Sequence, residues 1–371
     1  MIKKVHLLID KSRIVDYSLL PLRFNKKRLF KRGYKLSFFY QQTEEYLSCD
    51  ILLLFSKPVL QMLNEQKVII EEPSPTVDLL KKAKRYSNKI IWMDTSDSTT
   101  VTHFELLPYV DLYLKKQLFK DRTLYQKDFV GGRIFTDYYH REFGVEDDIR
   151  FNQYYPLDLN YSDKVSLSWN IGLGDMVNSF SKINSLRLKY LSIVSANYKV
   201  TFVSPFNKKN IDIFIRTSSD LNRNLVAFHR KELLKRLSGI IKKNDLNGSI
   251  DGEWLSQTNF RNILVKTKIL PSPFGWGELG VRDYEAFIYG ALLLKPDISH
   301  METWPSIFIK NETYVPFSWN FDDLGSTITD LLQDDKKRIK IAANGQEAYR
   351  DSISKIGMER FCDWFIQQIE K

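Results

Sequence analysis

Short apolar runs alternate with longer stretches of helical period along this chain. In the first half the apolar runs fall at 5–9, 35–40, 50–55, 89–93 and 110–114, with a basic helical stretch at 19–32 and another at 76–87 between them. Strands of this length alternating with helices predict a parallel sheet with helices on both faces. Ligands of such sheets sit beyond the carboxyl ends of the strands. The pattern breaks from 143 to 163, where Pro156 stands among Tyr, Asp and Asn residues, and a linker is expected there. A second α/β pattern begins at Val165. It has helices at 180–195 and 225–242, strands at 210–217, 269–270, 292–294 and 313–317, then helices at 322–332 and 336–352. The closing stretch, 357–369, is amphipathic. The expected division is a first α/β domain over 1–155, a second over 156–350, and a terminal helix within 351–371.

The richest segment runs from Pro271 to Pro305. A loop carrying Gly275, Gly277 and Gly280 enters an acidic amphipathic helix, and a short apolar strand follows. Glycines let a backbone approach a ligand closely, and a helix N-terminus attracts anions. With a helix starting near Glu278, the residues Glu278, Arg282, Glu285 and Tyr289 share one face. Two carboxylates and a guanidinium beside a phosphate-competent loop suit a ligand with both phosphate and sugar hydroxyls, such as a nucleotide sugar. An exposed helix with an Arg–Glu pair three positions apart is the plain structural alternative, but it leaves the glycine loop without a purpose.

The motifs S-P-x-G-x-G-E, R-D-x-E-A and G-A-L-L-x-K-P stand between Ser272 and Pro296, and are followed by Glu302-Thr303-Trp304-Pro305 and Glu312-Thr313-Tyr314-Val315-Pro316. On these the chain resembles GT-B glycosyltransferases of the bacterial group-1 kind, most strongly over its last third. That superfamily brackets this helix with Glu-x7-Glu. Here six residues separate Glu278 from Glu285, as in exostosin-like variants, which puts the role of Glu278 in more doubt than that of Glu285. The resemblance implies two Rossmann-like domains facing each other across a cleft, with the terminal helix crossing back to the first. It implies a nucleotide-sugar donor on the second domain and Glu285 accepting from its ribose hydroxyls. Retaining transfer to a glycan or lipid-linked glycan is implied too, as in the synthesis of lipopolysaccharide, O-antigen or capsule. Such enzymes set an Arg and a Lys against the donor diphosphate. Arg216 or Arg230 is the candidate Arg and Lys266 or Lys268 the candidate Lys, although a solvated basic face is the common fate of such residues.

Composition narrows the partners. The chain has 371 residues, enough for two cores, and 43% of them are hydrophobic. Its formal charge of +10 suits nucleic acid, an anionic membrane surface or a phosphorylated substrate. No DNA- or RNA-binding motif accompanies the basic patches at 25–32 and 230–236, so nucleic acid is not expected. Cys49 and Cys362 define neither a disulfide framework nor a metal site. No apolar run is long enough to span a bilayer. A cytoplasmic enzyme is expected, resting by its basic surface on the inner membrane face. No Asp-x-Asp follows an apolar strand, so the protein's own cations and a helix dipole are expected to stand in for a metal, with no cofactor besides the donor.

Candidates for the acceptor side lie in Trp92-Met93-Asp94-Thr95-Ser96-Asp97-Ser98, which ends a strand. Asp94 or Asp97 there, or His103, is a candidate general base; turn and cap chemistry explains the same residues without catalysis. Gly172 and Gly174 form a second glycine loop, equally readable as a tight turn, and Asp175 as a cap. Asp297 and His300 sit on the loop after the Glu285 helix. Trp304 and Trp319 are candidate stacking rings, or core. Two rival readings share this scaffold: a nucleotide-sugar epimerase, which acts without an acceptor, and a non-catalytic nucleotide- or carbohydrate-binding subunit.

Overall fold

The computed structural model describes residues 2–9, 17–63, 65, 74–148, 155–174, 200–250 and 255–371. The helix expected at 180–195 and Asp175 lie outside them. The first domain is built on strands β1 (Lys3–Leu8), β2 (Tyr34–Phe39), β3 (Cys49–Phe55), β4 (Ser87–Asp94), β5 (Leu112–Lys115) and β7 (Val165–Leu167); β6 (Gln117–Phe119) stands apart from them. They form one parallel sheet in the order β2-β1-β3-β4-β5-β7. Ile51 to Phe55 and Ile90 to Met93 are buried at every position because both faces of the sheet are covered. Helices α1 (Leu20–Phe24), α2 (Lys26–Lys31), α3 (Ser56–Met62), α4 (Pro75–Ala83) and α5 (Ile134–Phe143) connect and cover the strands.

Two local expectations are corrected. The basic helix at 19–32 is two short helices meeting at Asn25, whose buried amide donates to the Pro21 carbonyl at 2.9 Å. That side-chain bond competes with the helix ladder. Residues 165–167 also do not open the second domain. Val165 pairs with Tyr113 and Leu167 with Lys115, so the first sheet continues past the expected boundary at 155. A three-residue strand carries too little pattern to show which sheet will pair with it.

The second domain repeats the plan. Strands β8 (Ile211–Ile215), β9 (Gly248–Ile250), β10 (Thr267–Pro271), β11 (Leu292–Pro296) and β13 (Val315–Phe317) form a parallel sheet in the order β13-β11-β10-β8-β9. Its helices are α6 (Asn224–Lys243), α7 (Gln257–Lys266), α8 (Val281–Tyr289), α9 (Leu324–Gln333) and α10 (Asp335–Ser352). The architecture is thus two doubly wound α/β domains. A two-stranded antiparallel ribbon ties them: β12 (Met301–Thr303), from the second domain, pairs with β6 of the first.

Helix α11 (Lys355–Ile369) returns to the first domain. Glu359 takes Arg28 at 2.8 Å and Arg32 at 2.7 Å, Gln368 accepts from Ser166 at 2.7 Å, and Glu370 pairs with Lys3. Phe361 and Phe365 pack edge-on against the fully buried Trp169. One apolar core therefore runs from the first sheet through α11 into the second domain. No helix among the described residues is long and apolar enough to cross a membrane.

Candidate active site

A cleft of about 470 Å³ opens beyond the carboxyl ends of the second sheet, with Asp97 of the first domain on its far wall. The loop 272–280 forms its floor, and its shape is set from beneath. Asp283, fully buried, accepts from the Gly280 N–H at 3.0 Å, from Ser272 Oγ at 2.5 Å and from Lys295 Nζ at 2.8 Å. Lys295, also fully buried, donates to the Glu278 carbonyl at 2.8 Å. The glycines are required by contact. A Cβ on Gly277 would stand 1.7 Å from the Asp97 carbonyl oxygen, and one on Gly275 2.5 Å from Arg230 Nη2.

Three guanidinium groups converge on this cleft. Arg230 is anchored by the Phe274 carbonyl at 3.0 Å and the Ser218 carbonyl at 2.8 Å. Arg216 holds Ser249 Oγ at 3.2 Å, yet its Nε is buried without a partner among the described residues. Arg282 Nη1 is likewise buried and unpartnered among the described residues. Burial, then the charge of Arg216, works against protonation of Arg282, while Glu285 and Asp283 support it; the net is a lowered pKa. Burial and the charge of Arg282 lower that of Arg230. Cations crowded this way, with donors unspent, call for an anion. Glu285 lies one turn beyond Arg282 and lines the same cleft. Its carboxylate takes no hydrogen bond from the described residues, and burial raises its pKa against the pull of Arg282 and Arg261.

The predicted site residues separate into those gathered here and those that are not. Gly275, Gly277, Arg216, Arg230, Arg282, Glu285 and Asp97 line the cleft. Glu278 does not. Helix α8 begins at Val281, so Glu278 lies before it and off the face of Arg282 and Glu285. Its buried carboxylate crosses to the first domain, where it accepts from the Thr99 N–H at 3.0 Å, Gln117 Nε2 at 2.9 Å and Ser98 Oγ at 3.3 Å, with His300 Nε2 3.8 Å away. Burial opposes its ionisation, but His300 and the Thr99 N–H outweigh this and lower its pKa. Glu278 is an interdomain clasp.

Lys266 sits exposed at the amino end of β10, the edge opposite the cleft, and Lys268 pairs with Asp212 at 2.7 Å on that same edge. Neither reaches the site. Asp94 is fully buried against Lys115 (3.0 Å) and accepts from Tyr113 Oη at 2.6 Å; these partners overcome burial and hold its carboxyl well below the usual range. His103 is buried beside Glu105 at 3.2 Å. Both are core residues of the first domain. Asp97 faces the cleft but is paired with Lys57 at 2.7 Å and Lys116 at 3.5 Å. Burial pushes its pKa up, and Lys116 and Lys57 more than reverse this, to about 2. A base that weak at neutral pH is a poor proton acceptor.

The second glycine loop is packing: a Cβ on Gly172 would meet the Tyr284 ring at 2.1 Å. Trp304 stacks on Trp364, and Trp319 donates to the Asp297 carbonyl at 2.8 Å. The sequence reading did not single out Arg133. Its Nε donates to the Trp276 carbonyl at 2.9 Å and its guanidinium lies 5.4 Å from the Trp276 ring, so the first domain holds the glycine loop directly. The preceding Gly131-Gly132 was the available signal. No cluster of His, Cys, Asp and Glu suited to a metal occurs among the described residues.

No family model and no curated protein matches the chain. Similar solved structures exist at low identity. An alpha-glucosyltransferase in complex with UDP and a 13-mer DNA containing a HMU base shares 11% identity at a TM-score of 0.45, over 100% of both chains. HepE from Anabaena in complex with UDP and glucose shares 10% at 0.43, over 98% of this chain and 99% of that one. A glycosyltransferase from Rickettsia africae shares 11% at 0.46, over 100% and 99%. The first of these corrects the exclusion of nucleic acid. That protein is bound to DNA, and a cationic cleft between two domains needs no dedicated motif to meet phosphates. The missing motif therefore excludes nothing.

Proposed function

We propose that this chain is a glycosyltransferase of GT-B type that takes a sugar from a nucleoside-diphosphate donor bound in the cleft. The observation that carries the reading is the pair of buried guanidinium donors, Arg282 Nη1 and Arg216 Nε, that have no partner among the described residues, beside a glycine floor and the N-terminus of α8. A diphosphate satisfies the donors, and the backbone and helix dipole support it. Glu285, free to accept, suits the ribose diol. As the bond between the anomeric carbon and the phosphate oxygen breaks, charge grows on the departing diphosphate, where the arginines stabilise it. They supply the charge that a divalent ion would otherwise bring, so transfer is proposed to be metal-independent.

The acceptor hydroxyl then bonds to the anomeric carbon of an oxocarbenium-like sugar. Asp97, locked between two lysines, is not basic enough to take the hydroxyl proton. The departing phosphate oxygen is, and an acceptor that hands its proton to that oxygen must approach from the face the leaving group departs. That arrangement favours retention. The acceptor is proposed to be a glycan or lipid-linked glycan of surface polysaccharide synthesis, on the strength of the motif resemblance.

Thermal melting of the protein with a panel of nucleoside diphosphates and nucleotide sugars tests the donor site. A ligand at about 100 times its Kd stabilises by about 2.7 kcal/mol. One nucleotide family should raise the melting temperature, and Glu285→Ala should lose the rise. A folded protein that responds to none sinks the reading. Incubating the responding sugar nucleotide without acceptor separates transfer from epimerisation, which alone isomerises the donor.

A further inference from the structure

A second hollow, of about 350 Å³, opens at the opposite edge of the second sheet, where its strands begin. Four cations line it: Lys208, Lys209, Lys268 and Arg338. Lys209 donates to the Val265 and Tyr289 carbonyls, both at 2.9 Å, at the ends of α7 and α8. That capping employs two of its three ammonium protons. Arg338 is almost wholly buried, and both its bonds, to the Leu331 carbonyl and the Asp335 carboxylate, leave from Nη1. The other edge of its guanidinium makes no hydrogen bond to the described residues. Lys208 is exposed and likewise makes none. Asp335 and, through Lys268, Asp212 are the only carboxylates that answer these cations among the described residues. Burial and the charge of Arg338 pull the Lys209 pKa down to about 8. Helix capping explains Lys209 but not the hollow, Lys208 or the open edge of Arg338.

We propose that this hollow is a second anion site, separate from the cleft, that takes a phosphate group between Lys208, Lys209 and Arg338. The phosphate belongs either to a soluble phosphorylated ligand or to a lipid headgroup. Phe206, 73% exposed at the rim, would enter the bilayer in the second case. The site does not depend on the proposed transferase reaction.

Inorganic pyrophosphate is the first probe, read by thermal melting of the wild type, Lys208→Glu and Arg282→Ala. Because Lys208 has no partner to lose among the described residues, Lys208→Glu should melt no lower than the wild type without ligand. With pyrophosphate it should lose at least half of the wild-type rise, while Arg282→Ala, which weakens only the cleft, keeps at least half. Sedimentation with phosphatidylcholine vesicles, with and without phosphatidic acid, is the second arm. Binding that needs phosphatidic acid and is lost in both Lys208→Glu and Phe206→Ala assigns the site to a lipid headgroup. A pyrophosphate effect without vesicle binding assigns it to a soluble ligand. A pyrophosphate rise that Lys208→Glu leaves intact, with vesicle binding absent or equally insensitive to it, overturns the proposal.

Discussion

Arg282 and Glu285 stand three positions apart and carry opposite burdens: one is a cation short of partners, the other a carboxylate whose ionisation its surroundings oppose. Removing the first should separate stability from binding. In Arg282→Ala the cost of burying that guanidinium disappears, and with it the smaller repulsion from Arg216, so the empty protein should melt at or above the wild type. A nucleoside diphosphate should then bind about 10–100-fold more weakly, because a hydrogen bond to a charged group contributes about 1.5–3 kcal/mol. Melting curves with and without ligand read both effects. Asp97 offers a contrast. A general base contributes roughly 10²–10⁴-fold, so a loss of that size in kcat for Asp97→Asn, once an acceptor is found, would contradict the assignment above. We expect less than about tenfold. Asp94→Asn should instead destabilise the fold by about 3–5 kcal/mol, since it strands the buried Lys115 charge; urea unfolding measures it. From the sequence Asp94 and Asp97 were near equals on one strand end. What separates them is Lys115 against one and Lys57 with Lys116 against the other, and those pairings exist only once β4 lies between β3, which leads into the helix of Lys57, and β5, which ends at Lys115.

At the scale of elements, the loop 272–280 was legible because its glycines and its R-D-x-E run form one local pattern. The start of α8 was less so. Glu278 has helical spacing to Arg282 and Glu285, but Gly280 breaks the helix before it and the carboxylate finds better partners on the first domain. The short strand β7 was misassigned for a related reason, since its sheet is chosen by tertiary pairing. The loop also transmits force. In Gly277→Ala the new methyl cannot fit beside the Asp97 carbonyl, so the two domains must part or the loop must shift. Overpacking of this kind costs about 1–3 kcal/mol. We expect both a lower melting temperature and loss of nucleotide-induced stabilisation, whereas Gly280→Ala, where a Cβ meets nothing, should keep the melting temperature of the wild type.

Across the whole molecule the domains are joined by polar bonds as well as by apolar packing, and this makes the junction sensitive to acid. The Glu278 pKa, at the junction, is depressed in the folded state, and so is that of Asp97, paired within the first domain, to about 2. Groups of this sign stabilise fully above their unfolded values of about 4 and lose that contribution as pH falls through the folded values. Melting temperature should therefore drop between about pH 4.5 and pH 2. Glu278→Gln should lower it at pH 7 and flatten its fall on acidification. An unchanged acid profile in that variant would show that the clasp does not hold the domains.

Helix α11 gives the chain a schedule. The surface it covers, with Trp169, Arg28 and Arg32, is synthesised long before residues 355–369. At about 5–20 residues per second the gap is on the order of 10 s or more. During that interval the first domain has all its strands but an uncovered apolar face, so its completion waits for the second domain to be translated. The two halves, alike in plan, are therefore not independent in birth: the earlier one is finished by the later.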